Sequence, residues 1–236
     1  EELLNIVKTC GIHFTVSFMH RYFDECVKAA ELLQENVLGE LQQVRIQNCT
    51  KNPYDTAPSY GGCILDIGSH GIDLTNALFG SKIRAVLALE FDRQKLSSAK
   101  TGIAGEERFA TLLYELENGT RVIHEINWSS PSRISRFQVD IVGTDASMYI
   151  RNPQAESELA IAKIPTRQGE LSVWEYPQYE KTTLGQRQHQ LFIDDIRHGK
   201  SDSLPGGAAF EVLKVVHAAK RSMQSGTWEE VNVSIR

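Results

Sequence analysis

Apolar residues change their period twice along this chain. Near both ends they recur every three or four positions, the spacing of one helix face; in the middle they alternate, the spacing of a strand. Leu3, Leu4, Ile6 and Val7 make Glu1 to Thr9 read as the end of a helix, with Gly11 suited to stop it. His13 to Met19, HFTVSFM, is rich in β-branched and aromatic residues and predicts a buried strand. Asp24 stands where it could cap a helix running to about Val37. Phe23, Cys26, Val27, Ala30 and Leu33 would share one face, and Gly39 would end it. Leu41 to Thr50 follows as a strand, with Val44 and Ile46 on one face and Gln43, Arg45 and Gln47 on the other. After a loop from Lys51 to Tyr60 comes GGCILDIGSHGIDLTNALFG, Gly61 to Gly80, which predicts a helix of about four turns. Each interior glycine, Gly68 and Gly71, costs roughly 1 kcal/mol against Ala in an exposed helix. Their presence points to close packing or to room for a ligand.

The middle of the chain predicts strands over Arg84 to Asp92, Phe109 to Leu116, Arg121 to Trp128, Phe137 to Val142, Ala146 to Ile150 and Leu159 to Ile164. Asn118-Gly119 between the second and third of these suggests a type I′ hairpin turn. Gly143-Thr144-Asp145 looks like another tight turn. Helical spacing returns over Leu184 to Arg197, where Leu184, Gln188, Leu191, Phe192 and Ile196 align. It returns again over Ala208 to Gln224, and Trp228 to Ile235 alternates as a last strand. Helices at both ends of a run of strands predict an α+β fold: an open, mostly antiparallel sheet of six to eight strands with helices packed on one face.

Composition narrows the function. The 236 residues are 41% hydrophobic and 23% charged, with a formal charge of −5. Lys and Arg are scattered, which argues against nucleic acid or an anionic membrane as the main partner. No apolar run approaches the roughly 18 residues that would span a bilayer. Four cysteines, Cys10, Cys26, Cys49 and Cys63, form no C-x-x-C pair and read as reduced thiols of a cytoplasmic protein. None of the 17 glycines forms a G-x-G, so the Gly-rich turn that holds a dinucleotide's pyrophosphate is missing. The chain opens on Glu1 with a helix already under way and no capping residue before it. The expectation is that it starts inside an element of a longer protein.

Asp66 and His70 are four apart and should project from one helix face, with Asp73 extending the stripe among Ile64, Leu65, Ile67, Ile72 and Leu74. Three readings follow from the residues. His70 is a general acid/base, since imidazole titrates near neutral pH, and Asp66 orients it or the substrate. Or Asp66, His70 and Asp73 ligate a metal. Or the three form a structural hydrogen-bond network.

The wider string, YGGCILDIGSHGIDLTNALFG over residues 60–80, resembles the signature helix of the glucose–fructose oxidoreductase and inositol dehydrogenase (Gfo/Idh/MocA) family. VSFMHRYFD, Val16 to Asp24, is similar to that family's strand leaving the cofactor domain. Gly39-Glu40, GQRQHQLFIDDIRHGK, the helix Ala208 to Gln224 and Gly226-Thr227-Trp228 match its later segments, so the resemblance covers nearly the whole chain. It implies a C-terminal domain like that of dihydrodipicolinate reductase, with the Rossmann domain absent. Residues 1–18 would be a remnant of the cofactor domain, its last helix and strand. Residues 19–236 would be the substrate-binding and oligomerisation domain, with its Asp66–His70 helix at the edge facing the missing domain.

The resemblance further implies that His70 accepts the proton of a substrate hydroxyl with Asp66 beside it. Met19, His20 and Trp128 would line the pocket, and Arg21 would anchor the domain junction. NAD or NADP would serve the full-length protein, with no cofactor expected on this chain, no metal, and a sugar, inositol or polyol as substrate. The family's catalytic Lys would also lie outside the chain. A homodimer or tetramer through the sheet face is expected, of mixed polarity. Against this enzyme stands a second possibility, a non-catalytic carbohydrate-binding or association module.

Of the other histidines, His13, His189, His198 and His217 read as structural or exposed. His124 reads as outward-facing or part of a subunit interface. Glu106-Glu107 and Glu229-Glu230 read as solvated charge.

Overall fold

The alternating stretches become strands because each has one apolar face to bury and neighbours to complete its backbone hydrogen bonds. The computed structural model describes residues 2–50, 61–90, 107–128, 137–151, 158–165, 170–183, 185–199 and 206–231. Among these, the strands are β1 (Leu41–Cys49), β2 (Ile83–Glu90), β3 (Phe109–Leu116), β4 (Arg121–Asn127), β5 (Phe137–Gly143), β6 (Ala146–Arg151), β7 (Glu158–Lys163) and β8 (Glu229–Glu230). They form one open sheet in the order β7-β6-β5-β1-β4-β3-β2-β8. All neighbours are antiparallel except β1 and β4, which run parallel with Val44 opposite Val122 and Ile46 opposite His124. The sheet is thus two meanders, β2-β3-β4 and β5-β6-β7, joined through β1. This is the open, mostly antiparallel sheet the alternation predicts.

The helices are α1 (Glu2–Cys10), α2 (Asp24–Gln34), α3 (Ser69–Phe79), α4 (Gln186–His198) and α5 (Gly206–Ser225), with a 3-10 turn over Met19–Tyr22 and a π-helical turn over Ile64–Gly68. Against the sheet, α5 lies on β2 and α2 over β6 and β7, with α3 and its π turn on β1 and β4. The core fills the space between: Val44 and Ile46 of β1, Leu112, Val122, Ile141 and Ile150 from the strands, and Cys26, Ile72, Leu74 and Val215 from the helices are all buried. Each such aliphatic side chain contributes roughly 1.5–3 kcal/mol by leaving water. As predicted, Arg45 and Gln47 lie on the other face of β1, where both bond Glu125.

Several expectations fail for identifiable reasons. Residues 13–18 form no strand: no ladder partner lies beside them among the described residues, and Val16 is 39% exposed. Asp24 does not cap α2. Its carboxylate instead accepts hydrogen bonds from the backbone and hydroxyl of Thr182 and from Arg187, tying the segment before α4 to the start of α2. The Asn118-Gly119 turn is not type I′, because Asn118 keeps a negative φ. Gly119 alone is left-handed, at φ 86°, and its N–H donates to Leu116 O, the geometry of a type I turn closed by a glycine bulge. The site helix lies over the central strands β1 and β4. The predicted loop 51–60, Asp92, Leu184 and the last strand beyond Val231 lie outside the described residues.

Candidate active site

The segment Gly61 to Gly80 is not one straight α-helix. Gly61 and Gly62 sit at φ 79° and 92°, where only glycine is comfortable. A side chain at Gly62 would put its Cβ 2.1 Å from Glu107 Oε1. That carboxylate accepts the N–H of Ile64 at 3.2 Å, its own backbone carbonyl accepts from Cys63 N at 2.9 Å, and Lys220 Nζ donates to Gly61 O at 2.8 Å. Glu107 is therefore no solvated charge. It is 3% exposed and holds the start of the site helix, where a carboxylate also suits the helix dipole. Burial pushes its carboxyl up from the usual range, against the pull of its hydrogen bonds and of Lys220. Glu106 lies outside the described residues, and Glu229 pairs with Arg221.

The chain then makes the π turn Ile64–Gly68 before tightening into α3, with Ser69 Oγ donating to Asp66 O at 2.8 Å. Single π turns inside α-helices are frequent at functional sites. Asp66 is carried on this wide turn and His70 on the first turn of α3, and both are half-buried. At the end of β4, Trp128 is 4% exposed and donates its indole N–H to Asp66 Oδ2 at 2.9 Å. The Trp128 ring packs in the core while its one polar atom fixes the Asp66 carboxylate.

His70 is gripped by the segment before α2. Phe18 meets its ring edge-on at 5.9 Å, and the His20 ring lies 4.8 Å away at 34°. His20 in turn stacks on Phe137 of β5 at 4.5 Å and contacts Phe23 at 5.4 Å. Met19 is half-buried in the same 3-10 turn. The next residue, Arg21, donates two hydrogen bonds of 2.6 Å each to Asp73, whose side chain is 1% exposed. Burial pushes the Asp73 carboxyl up from its ordinary value, while the hydrogen bonds and charge of Arg21 hold it down. With both oxygens so committed, Asp73 is not a third ligand beside Asp66 and His70. Among the described residues no group of three or more His, Cys, Asp or Glu could hold a metal ion. Arg21–Asp73 is the structural part of the predicted stripe.

Beneath α3 lies a polar chain the sequence reading missed. His124 does not face outward: it is fully buried, between Tyr114 Oη, which meets Nδ1 at 2.7 Å, and Asn48 Oδ1, which meets Nε2 at 2.7 Å. An amide oxygen only accepts, so Nε2 carries the proton and Nδ1 accepts from the tyrosine. Burial lowers the His124 pKa to about 3 and pushes the Tyr114 hydroxyl well above its usual value. Gly71, the residue after His70, rests on this pair. A Cβ there would lie 2.4 Å from both Asn48 Oδ1 and His124 Cε1. The glycine lets the helix backbone approach the sheet, and Thr75 Oγ1 donates to the Gly71 carbonyl at 2.7 Å.

The chain is an open α+β sheet with a helix carrying Asp66 and His70 on its central strands. The family model described as "Oxidoreductase family, C-terminal alpha/beta domain" matches residues 30–233, and the chain belongs to this Gfo/Idh/MocA family. No curated protein matches the sequence. Three solved structures show the likeness of fold. Aldose-aldose oxidoreductase from Caulobacter crescentus, complexed with glycerol, superposes with a TM-score of 0.81 at 16% identity, over 97% of this chain and 67% of that one. Levoglucosan dehydrogenase in complex with NADH and L-sorbose gives 0.79 at 18%, over 97% and 68%. Scyllo-inositol dehydrogenase from Lactobacillus casei, with NAD(H) and scyllo-inositol bound, gives 0.69 at 19%, over 97% and 67%.

Proposed function

We propose that this chain is the substrate-binding, proton-handling part of an NAD(P)-dependent dehydrogenase acting on a secondary alcohol of a sugar, inositol or related polyol. The observation that carries the reading is the pair of side chains offered by the π turn and α3. Asp66 is oriented by the Trp128 indole, and His70 is oriented by Phe18 and His20. His70 takes the proton of the substrate hydroxyl, and Asp66 hydrogen-bonds the sugar or the imidazole. Met19, His20 and Trp128 border this position. The relatives in complex with glycerol, L-sorbose and scyllo-inositol support the substrate class.

A dinucleotide does not fit the residues of this chain, whose 17 glycines form no G-x-G turn. The hydride partner therefore belongs to a domain outside it, as does the family's catalytic Lys. On this reading residues 1–18 belong with that domain and residues 19–236 form the substrate domain. Among the described helices none is long and apolar enough to cross a membrane.

Opposite the helices, the β1-β4-β3-β2 part of the sheet leaves a bare face that suits association with a second copy. Arg45–Glu125 and Arg84–Glu115 pairs alternate there with Leu89, 53% exposed, and Ile123, 36% exposed. A groove of about 670 Å³ between Leu113, Ile123 and Trp228 gives that face relief. Molar mass in solution decides this part: a monomer at micromolar concentration rejects it.

The central test uses the full-length dehydrogenase. His70→Ala should lower kcat by roughly 10²- to 10⁴-fold, the contribution of a positioned acid/base, with NADH affinity within twofold. Undiminished turnover rejects the role of His70.

A further inference from the structure

From the way the end of β4 meets the π turn, we infer that Trp128 is a positioning residue for Asp66: its indole N–H ties down one carboxylate oxygen, and the other is thereby aimed at a hydroxyl of the substrate. Trp128 thus acts on substrate choice through Asp66. The inference deepens the proposed function and rests on it. Of the two partners offered to Asp66 there, the sugar and the imidazole, it selects the sugar.

Both ends of the contact are held by their backbones. Trp128 N–H donates to Arg108 O at 2.9 Å, and the N–H of Thr50, just past β1, donates to the carbonyl of Asn127 at 2.9 Å. The strand end is therefore pinned to its neighbour on each side, with the Trp128 ring set in the core. On the helix side, Asp66 N–H donates to Gly62 O at 3.1 Å, and Asp66 O accepts from Ser69 Oγ at 2.8 Å. Two residues on, a Cβ at Gly68 would come within 2.7 Å of Ile126 Cδ1, so the π turn rests directly on β4. With both backbones fixed, the freedom left to the carboxylate is rotation of its own side chain. The indole hydrogen bond, at 2.9 Å, removes it.

An indole N–H only donates, so Oδ2 is committed as its acceptor. A hydrogen bond to a carboxylate is also stronger than one between neutral groups. A buried indole needs an acceptor, and the one Trp128 has is the side chain that the site presents. Oδ2 is bonded on the strand side, which leaves Oδ1 for the site. His70 has supports of its own, Phe18 edge-on at 5.9 Å and the His20 ring at 4.8 Å, so its orientation does not wait on Asp66. A sugar hydroxyl is a directional donor of the kind Oδ1 can take. A group built to bond a substrate hydroxyl rejects analogues that lack it, because the group is then left unpaired. The aim has to be exact to be useful, since a misplacement of about 1 Å costs on the order of 100-fold. A residue that holds the carboxylate still is what such a site requires.

The experiment makes Trp128→Phe, which keeps a ring in the core and removes the N–H, in the full-length dehydrogenase. Its substrate is the best-oxidised member of a panel of aldoses, inositols and acyclic polyols. KM should rise roughly tenfold or more while kcat falls far less, the mark of lost binding rather than lost chemistry. In an Asp66→Ala background the same change should add less than about twofold, because the carboxylate it aims is gone; independent contacts would multiply instead. A fall in kcat with KM unchanged overturns the inference by placing Asp66 on the imidazole. Multiplying effects overturn it by placing the indole on the substrate itself. Unchanged kinetics with a lower urea midpoint make Trp128 a core residue alone. If Trp128→Phe fails to fold, the bond is read from its other end by NMR of this chain. The Trp128 indole proton should move upfield and exchange faster in Asp66→Ala, and hold its place in Asp66→Asn, whose side-chain oxygen still accepts. An indole signal indifferent to Asp66→Ala also overturns the inference. Full turnover in His70→Ala removes the proposed role of His70 while the effect of Trp128 on KM stands. A KM that ignores Trp128, with turnover lost in His70→Ala, does the reverse, and oxidation of no panel member rejects both.

Discussion

Each side of this sheet carries ion pairs and polar networks, but they live under different physics. On the helical side, Asp73 is 1% exposed where it meets Arg21, and His124, Asn48 and Tyr114 are bonded in a chain with no water to replace a lost partner. On the bare side, Arg45 and Glu125 are 42% and 36% exposed and Arg121 is 78% exposed beside Glu115. The lesson is that a polar contact's energy follows from what replaces it. Above the sheet the alternative is an orphaned buried group; on the other face it is water.

Four perturbations should rank accordingly. Asp73→Ala leaves Arg21 without its buried partner and should cost about 3 kcal/mol or more in urea unfolding at pH 7; a loss below 1 kcal/mol would erase the contrast. Acid comes next. An unfolded His124 takes its proton near 6.5, the native one only near 3. The unfolded state therefore binds more protons between those values, and native stability, complete above about 6.5, falls as the pH drops toward 3. By pH 4 the loss attributable to His124 is about 3 kcal/mol. His124→Gln can keep both hydrogen bonds without titrating, so its unfolding free energy should fall less steeply below pH 6.5, and parallel curves would refute the assignment.

Third is Gly71→Ala, where overpacking against Asn48 and His124 outweighs the better helix propensity, for a net loss of about 1–2 kcal/mol. A gain in stability would mean that the helix does not rest on the sheet there. The smallest effect belongs to Arg45→Ala, below about 1 kcal/mol and vanishing in 1 M salt; a larger, salt-independent loss would show that the bare face is desolvated, as it would be under a second copy.

The sequence reading succeeded where one residue type alternates with one environment. The parity of Val44 and Ile46 against Arg45 and Gln47 located the two faces of β1. It failed where a polar residue sits at an apolar parity. Val122, His124, Ile126 and Trp128 alternate inward together, as do Val44, Ile46 and Asn48, and Leu112, Tyr114 and Leu116. Taken singly, His124 reads as outward because imidazole is polar. Taken with Asn48 and Tyr114, three hydrogen-bonding side chains at the inward parity of adjacent strands announce a buried chain. The π turn and the Trp128–Asp66 bond had no such signal, because they depend on how far the helix start stands from the end of β4. Glu107 was misread for a similar reason: its partner is a backbone N–H 43 residues away.

The parallel pairing of β1 with β4 has a kinetic consequence. Val44 meets Val122 on one side and Ile141 on the other, so the strand made first among the eight waits for partners made long after it. Each meander can zip from its own short-range contacts, but β1 can pair with β4 only after about 80 intervening residues have been closed into a loop, the slow kind of contact. The site helix, lying within that loop, emerges before the floor it rests on is complete, because β4 follows it in the chain. The order in which the backbone amides of β1 and β3 gain protection from solvent during refolding would show it: β3 early, β1 last, with the geometry around His70 set only in the final step.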